Sequence, residues 1–138
     1  MAQIHLQLIQ KPYGFIATDE AGLSVKMDNI GTQIPNFGVS PMQMLLMALA
    51  GCSSIDVMMI LQKQKQEVET YQVTINATKE TFGDFSLWVN IDIEFTIKGN
   101  VDIAKANRAV ELSINKYCSV AETLRRSGAT INYIVAVI

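Results

Sequence analysis

The chain predicts an α+β fold in the order βββ-α-ββ-α-α-β, and three observations carry the prediction. Short alternating segments fill residues 3–27, an almost continuous apolar stretch runs from Met42 to Leu61, and residues 87–97 carry an aliphatic residue or Phe at every second position. Periods of two and of 3.6 therefore occupy different stretches of the chain. At 138 residues one core suffices, and residues 1–138 are expected to form a single domain.

Segments 3–9, 13–18 and 23–27 carry Ile4, Leu6, Leu8, then Tyr13, Phe15, then Leu23, Val25, Met27 at alternate positions. Turn residues Pro12-Tyr13-Gly14 and Asp19-Glu20-Ala21-Gly22 separate them, which predicts an N-terminal β-meander. Residues 28–39 hold no period and read as a loop long enough to be functional. Ser40 is placed as an N-cap, Pro41 as the first helical residue and Gln43 as the partner in a capping box. The helix that follows is apolar on nearly every face. Its length would span a membrane, but Gln43, Ser53, Ser54 and Asp56 interrupt it, so it reads as a buried central helix that emerges into water at Lys63, Lys65 and Glu67.

Strands follow at 70–79 and 85–98, joined at Phe82-Gly83-Asp84 as a hairpin. Asp102 is placed as the cap of a helix over about 103–117. Ser119 with Glu122 predicts a further short helix, starting directly after Cys118 and ending at Gly128. Residues 129–137 alternate again as a terminal strand, and no repeat or linker interrupts the order.

Apolar residues make up 49% and charged residues 17%, against about 25% charged in average globular proteins, so apolar surface is expected to remain for a partner subunit. Eleven basic and thirteen acidic residues leave a net charge of −2, without the basic footprint of a nucleic-acid binder. Met1–Gln10 has no basic region followed by a long apolar run, and a cytoplasmic location is expected. His5 is the only histidine, and two cysteines fall short of the four ligands of a structural zinc site; no metal or cofactor is expected.

The two cysteines lie 66 positions apart in a chain expected to stay in a reducing compartment, so they read as buried hydrophobes or as reactive thiols. Cys52 lies mid-helix in Ala48-Leu49-Ala50-Gly51-Cys52-Ser53-Ser54, where small neighbours permit close approach. Asp56, one turn on, would raise its pKa if it faced the thiol. Cys118 precedes a helix N-terminus, with Lys116, Arg125 and Arg126 nearby, which predicts the more easily ionised sulfur. A core-filling role is the plain alternative for each.

The helix Ser40-Pro41-Met42-Gln43-Met44-Leu45-Leu46-Met47-Ala48-Leu49-Ala50-Gly51-Cys52 resembles the central-helix motif of the OsmC/Ohr family. Lys116-Tyr117-Cys118-Ser119-Val120 resembles that family's second cysteine motif, and the order of elements matches over essentially the whole chain. The resemblance implies an OsmC-like fold: an intertwined homodimer with long central helices packed against curved antiparallel sheets, and thiol sites at the interface. It further implies reduction of an organic or lipid hydroperoxide, with Cys52 peroxidatic, Cys118 resolving and a lipoyl-type dithiol as reductant. In the family's catalytic branches an N-terminal Arg, held by a Glu about ten residues before the helix cysteine, activates the thiolate. Here position 42 is Met, the first arginine is Arg108, and Ser119 replaces the Pro that often follows the second cysteine. Lys11, Lys26 or His5 are the candidate replacement cations.

Two further readings stand beside this one. The methionines Met42, Met44, Met47, Met58 and Met59 suggest a binding protein for a small apolar or thiol-containing ligand, although Met at helical spacing usually fills cores. A hotdog-like acyl-thioester hydrolase with Asp56 as base is disfavoured, because three strands precede the helix and a second helical unit interrupts the later ones.

Overall fold

The computed structural model describes residues 1–31 and 34–138; Thr32 and Gln33, within the predicted loop, lie outside the described residues. Its elements follow the predicted order: β1 (His5–Gln10), β2 (Gly14–Thr18), β3 (Ser24–Met27), α1 (Pro41–Lys63), β4 (Glu67–Phe82), β5 (Phe85–Asn100), α2 (Ile103–Leu112), α3 (Ser119–Arg126) and β6 (Thr130–Val137). A π-helical turn, Ser113–Tyr117, separates α2 from Cys118. The chain divides into two compact units, Met1–Met47 and Ala48–Ile138, and α1 contributes residues to each.

In the first unit β1, β2 and β3 form the predicted antiparallel meander. The Asp19 carboxylate shapes its second turn by accepting the N–H groups of Ala21 and Leu23, both at 2.9 Å. Asp28 organises the loop after β3. Its buried carboxylate accepts the Asn29 N–H at 2.7 Å and the Phe37 N–H at 2.9 Å, which folds the chain back so that Val39 bridges Met27. Gly38 is needed there, since a Cβ would collide with the backbone of Lys26 and Met27. The Ser40 Oγ accepts the Gln43 N–H at 3.4 Å, the predicted cap in a loose form.

In the second unit β4 and β5 form a long hairpin closed by Gly83-Asp84, and Gly83 takes the positive φ of 64° that a two-residue turn requires. The alternation of β5 becomes burial: Ile91, Ile93, Phe95 and Ile97 are inside, with Ala106, Ala109, Val110, Ile114, Ala121 and Leu124 completing the core. The expectation of antiparallel sheets is corrected at β6 alone, which pairs β5 in parallel from Asn90↔Thr130 to Ile97↔Val137. The chain returns through α2 and α3, and such a helical crossover is what permits a parallel neighbour.

Within one chain the central helix buries one line of residues. Only Leu49, Ser53, Val57 and Leu61 of α1 are buried, a single line at every fourth position. Ile55 is 64% exposed and Met59 52%. A helix apolar all round needs cover on every side, and one chain covers one stripe.

Candidate thiol site

Two helices and the π-helical turn between α2 and α3 bring the site together within the second unit. On α1, Cys52 and Asp56 are four residues apart and therefore share a face. At the other end of the sequence separation, Cys118 stands at the start of α3. The Sγ atoms of Cys52 and Cys118 and a carboxylate oxygen of Asp56 all lie within 4.8 Å of one another. Cys52 and Asp56 are half-buried, and Cys118 is 2% exposed. Both cysteines are free thiols.

The π-helical turn sets the position of Cys118. Its N–H donates to the Ser113 carbonyl five residues back, at 2.8 Å, so the chain gains a residue over the ordinary helical turn before α3 begins. Ser113 itself is fully buried, and its hydroxyl reaches α1 twice: the Ser53 carbonyl at 2.9 Å and Asp56 Oδ2 at 3.2 Å. Sequence reasoning missed Ser113. The signal was present, because Ala106, Ala109, Val110 and Ser113 follow helical spacing and place a hydroxyl on a core stripe. Tyr71 of β4 was missed as well. Its hydroxyl donates to Ser54 Oγ at 2.9 Å, its ring meets Phe95 edge to face, and burial pushes its pKa up to about 12 against the opposing Ser54 bond.

Two sequence expectations about Cys118 are overturned. The cap of α3 is Cys118 rather than Ser119: its Sγ accepts the Ala121 N–H at 3.4 Å, while Glu122 turns to Arg125 and Arg126 instead of back to the cap. Nor is Cys118 readily ionised, since burial pushes its thiol up to about 11. The Ala121 N–H opposes that rise, and Cys52 reinforces it through a hydrogen bond and charge repulsion. The expected cations act elsewhere. Lys116 lies over the Tyr117 ring, and Arg125 donates to the Ile114 carbonyl at 2.7 Å and bridges Glu122.

Asp56 faces the thiols, as the sequence allowed. Arg108, the chain's first arginine, pairs with Glu111 at an exposed position, and Lys26 lies over the Phe37 ring of the first unit. A separate hollow of about 570 Å³ opens along another face of α1, lined by Ser54, Ile55, Met58, Met59, Gln62 and Tyr71 among others.

A fold of this order, with a cysteine on the long helix and a second thiol brought against it, defines a class of small α+β thiol proteins. Residues 31–133 match the family model described as OsmC-like protein, and the chain belongs to the OsmC-like family. It is 38% identical over 115 residues to Protein YhfA of Escherichia coli strain K12, covering 82% of each chain. Among solved structures it is similar to an OsmC-like protein from Mycoplasma pneumoniae, with a TM-score of 0.82, 14% identity and coverage of 100% and 97% of the two chains. It is also similar to an organic hydroperoxide resistance protein OsmC from Legionella pneumophila, with a TM-score of 0.71, 14% identity and coverage of 99% and 96%.

Proposed function

We propose that the protein reduces organic or lipid hydroperoxides with Cys52 as the peroxidatic and Cys118 as the resolving thiol. The observation that carries this reading is the meeting of the two sulfurs, one half-buried and one buried, from positions 66 residues apart. The Cys52 thiolate attacks the terminal peroxide oxygen, the O–O bond breaks, and the alkoxide leaves as an alcohol after taking a proton. The resulting sulfenic acid is attacked by Cys118, which forms the disulfide and releases water; a lipoyl-type dithiol returns two electrons. The high pKa of Cys118 suits a thiol that waits for a sulfenic acid beside it rather than one that meets peroxide first.

The hydroperoxide-resistance name of the Legionella relative supports the substrate class. The uncovered apolar faces of α1 support a homodimer in which a second copy covers them. By length and composition α1 could also cross a membrane, yet its packed line of Leu49, Ser53, Val57 and Leu61 supports a helix of a soluble protein.

Cys52→Ser and Cys118→Ser variants exposed to limiting organic hydroperoxide test the roles. Cys118→Ser is expected to accumulate sulfenic or sulfinic acid on Cys52, and Cys52→Ser to stay reduced. Oxidation confined to Cys118 reverses the assignment, and oxidation of wild type no faster than free cysteine removes the peroxidase reading. The hollow beside Met58 and Met59 favours a second reading, a carrier of a small apolar ligand at the dimer interface. Native mass spectrometry of freshly purified protein with no retained ligand counts against it.

A further inference from the structure

We propose that the reduced protein binds one zinc-type divalent cation through Cys52 Sγ, a carboxylate oxygen of Asp56 and Cys118 Sγ. The three ligand atoms already lie within 4.8 Å of one another. Zinc–sulfur bonds of about 2.3 Å in a tetrahedral site place two sulfurs about 3.8 Å apart, so the two sulfurs need to approach by about 1 Å at most. Cys52 and Asp56 supply two ligands one turn apart on a helix, the spacing by which helical metal motifs present two donors to one ion.

The site has the support that a bound ion requires. Asp56 Oδ2 accepts from the buried Ser113 hydroxyl, which fixes the carboxylate, and the Ala121 N–H fixes the Cys118 sulfur. Cys52 and Asp56 are half-buried, which leaves an approach from solvent and a fourth position open to water or an exogenous thiol. Two thiolates and a carboxylate around a bound ion would carry three negative charges, and Lys116 and Arg125 are turned to other partners. A divalent cation supplies the missing charge. On binding, each thiol gives its proton to water and its sulfur lone pair to the metal, and two sulfur donors select zinc over magnesium or calcium.

The test uses tag-free, reduced, metal-stripped protein titrated with Co²⁺ as a spectroscopic probe and then with Zn²⁺; no peroxide is present, so it stands or falls independently of the peroxidase reading. One Co²⁺ per chain is expected, with a thiolate-to-cobalt charge-transfer band that Zn²⁺ erases. Zn²⁺ is also expected to protect both cysteines from iodoacetamide. Ser113→Ala, which leaves all three ligands in place, is expected to weaken Zn²⁺ affinity by about 10–100-fold. Asp56→Ala is expected to weaken it at least as far, with circular dichroism checking that each variant is folded. Absence of the charge-transfer band in wild type overturns the proposal. So does Zn²⁺ binding that survives alkylation of both cysteines, or affinity unchanged in folded Asp56→Ala.

Discussion

Ser113 offers one hydroxyl proton to two acceptors on α1, the Ser53 carbonyl and Asp56 Oδ2. Ser113→Ala removes that shared donor from a buried position and is expected to cost about 1–3 kcal/mol, read as a lower urea midpoint with an unchanged slope. Cys118 adds a pH dependence. Below its ordinary pKa of 9.0, folded and unfolded chains both hold the thiol proton, and it contributes no slope. Above that pH the unfolded chain releases the proton first, while the folded chain keeps it up to about 11, so stability falls as pH rises through this window. Tyr71, raised from 10.0 to about 12, acts in the same direction at higher pH. Urea midpoints for wild type and Cys118→Ala between about pH 8 and pH 11 check this; the variant is expected to lose less. Both cysteines were legible in the sequence, because an Ala-Gly-Cys helix and a Cys before a capping pattern are local features. The ionisation order was not legible. Local sequence shows the helix N-terminus and the cations, but it does not show how deeply the sulfur is buried or that Lys116 and Arg125 face other groups.

Element boundaries show where local chemistry suffices. Asp102 caps α2 as predicted, its Oδ2 accepting the Lys105 N–H at 3.1 Å, and Asp102→Ala is expected to cost about 0.5–2 kcal/mol in thermal or urea unfolding. The end of α1 carried no glycine and was read only as a polar turn. In the structure the Gln66 N–H reaches the Leu61 carbonyl at 2.9 Å while Lys65 takes a φ of 57°, so a lysine holds the left-handed position that glycine usually fills. Lys65→Gly is expected to raise stability by about 0.5–1 kcal/mol, and an unchanged or lower melting temperature would contradict the strain. The strands were read from alternation, which survives at β5 because one face meets the core. The pairing of β6 with β5 was not readable, since the pattern of a single strand does not state the direction of its neighbour. The π-helical turn was read as plain helix for a similar reason: its residues have no composition that separates them from the helix before them.

At the scale of the whole molecule, the low charged fraction and the exposed apolar side chains of α1 concern the same surface. Ile55, Met58 and Met59 are all exposed, and a light-scattering mass near twice that of one chain is expected for wild type. Ile55→Glu is expected to shift the mass toward a monomer, because a carboxylate buried at an apolar interface goes unpaired. A monomer at every concentration in wild type would refute the dimer. The β4–β5 hairpin gives an independent view of assembly. Each strand has sixteen residues, roughly 50 Å of extended chain, but β6 joins the pair only from Asn90 onward. The stretch from Lys79 to Trp88 is thus a two-stranded ribbon with Phe82 and Phe85 exposed, and such ribbons are marginal in water. Its amides should therefore trade hydrogen for deuterium far sooner than those of Ile91 to Ile97. If a second copy lies over the ribbon, that exchange will slow as protein concentration rises, while the inner amides of β5 keep their own slower clock.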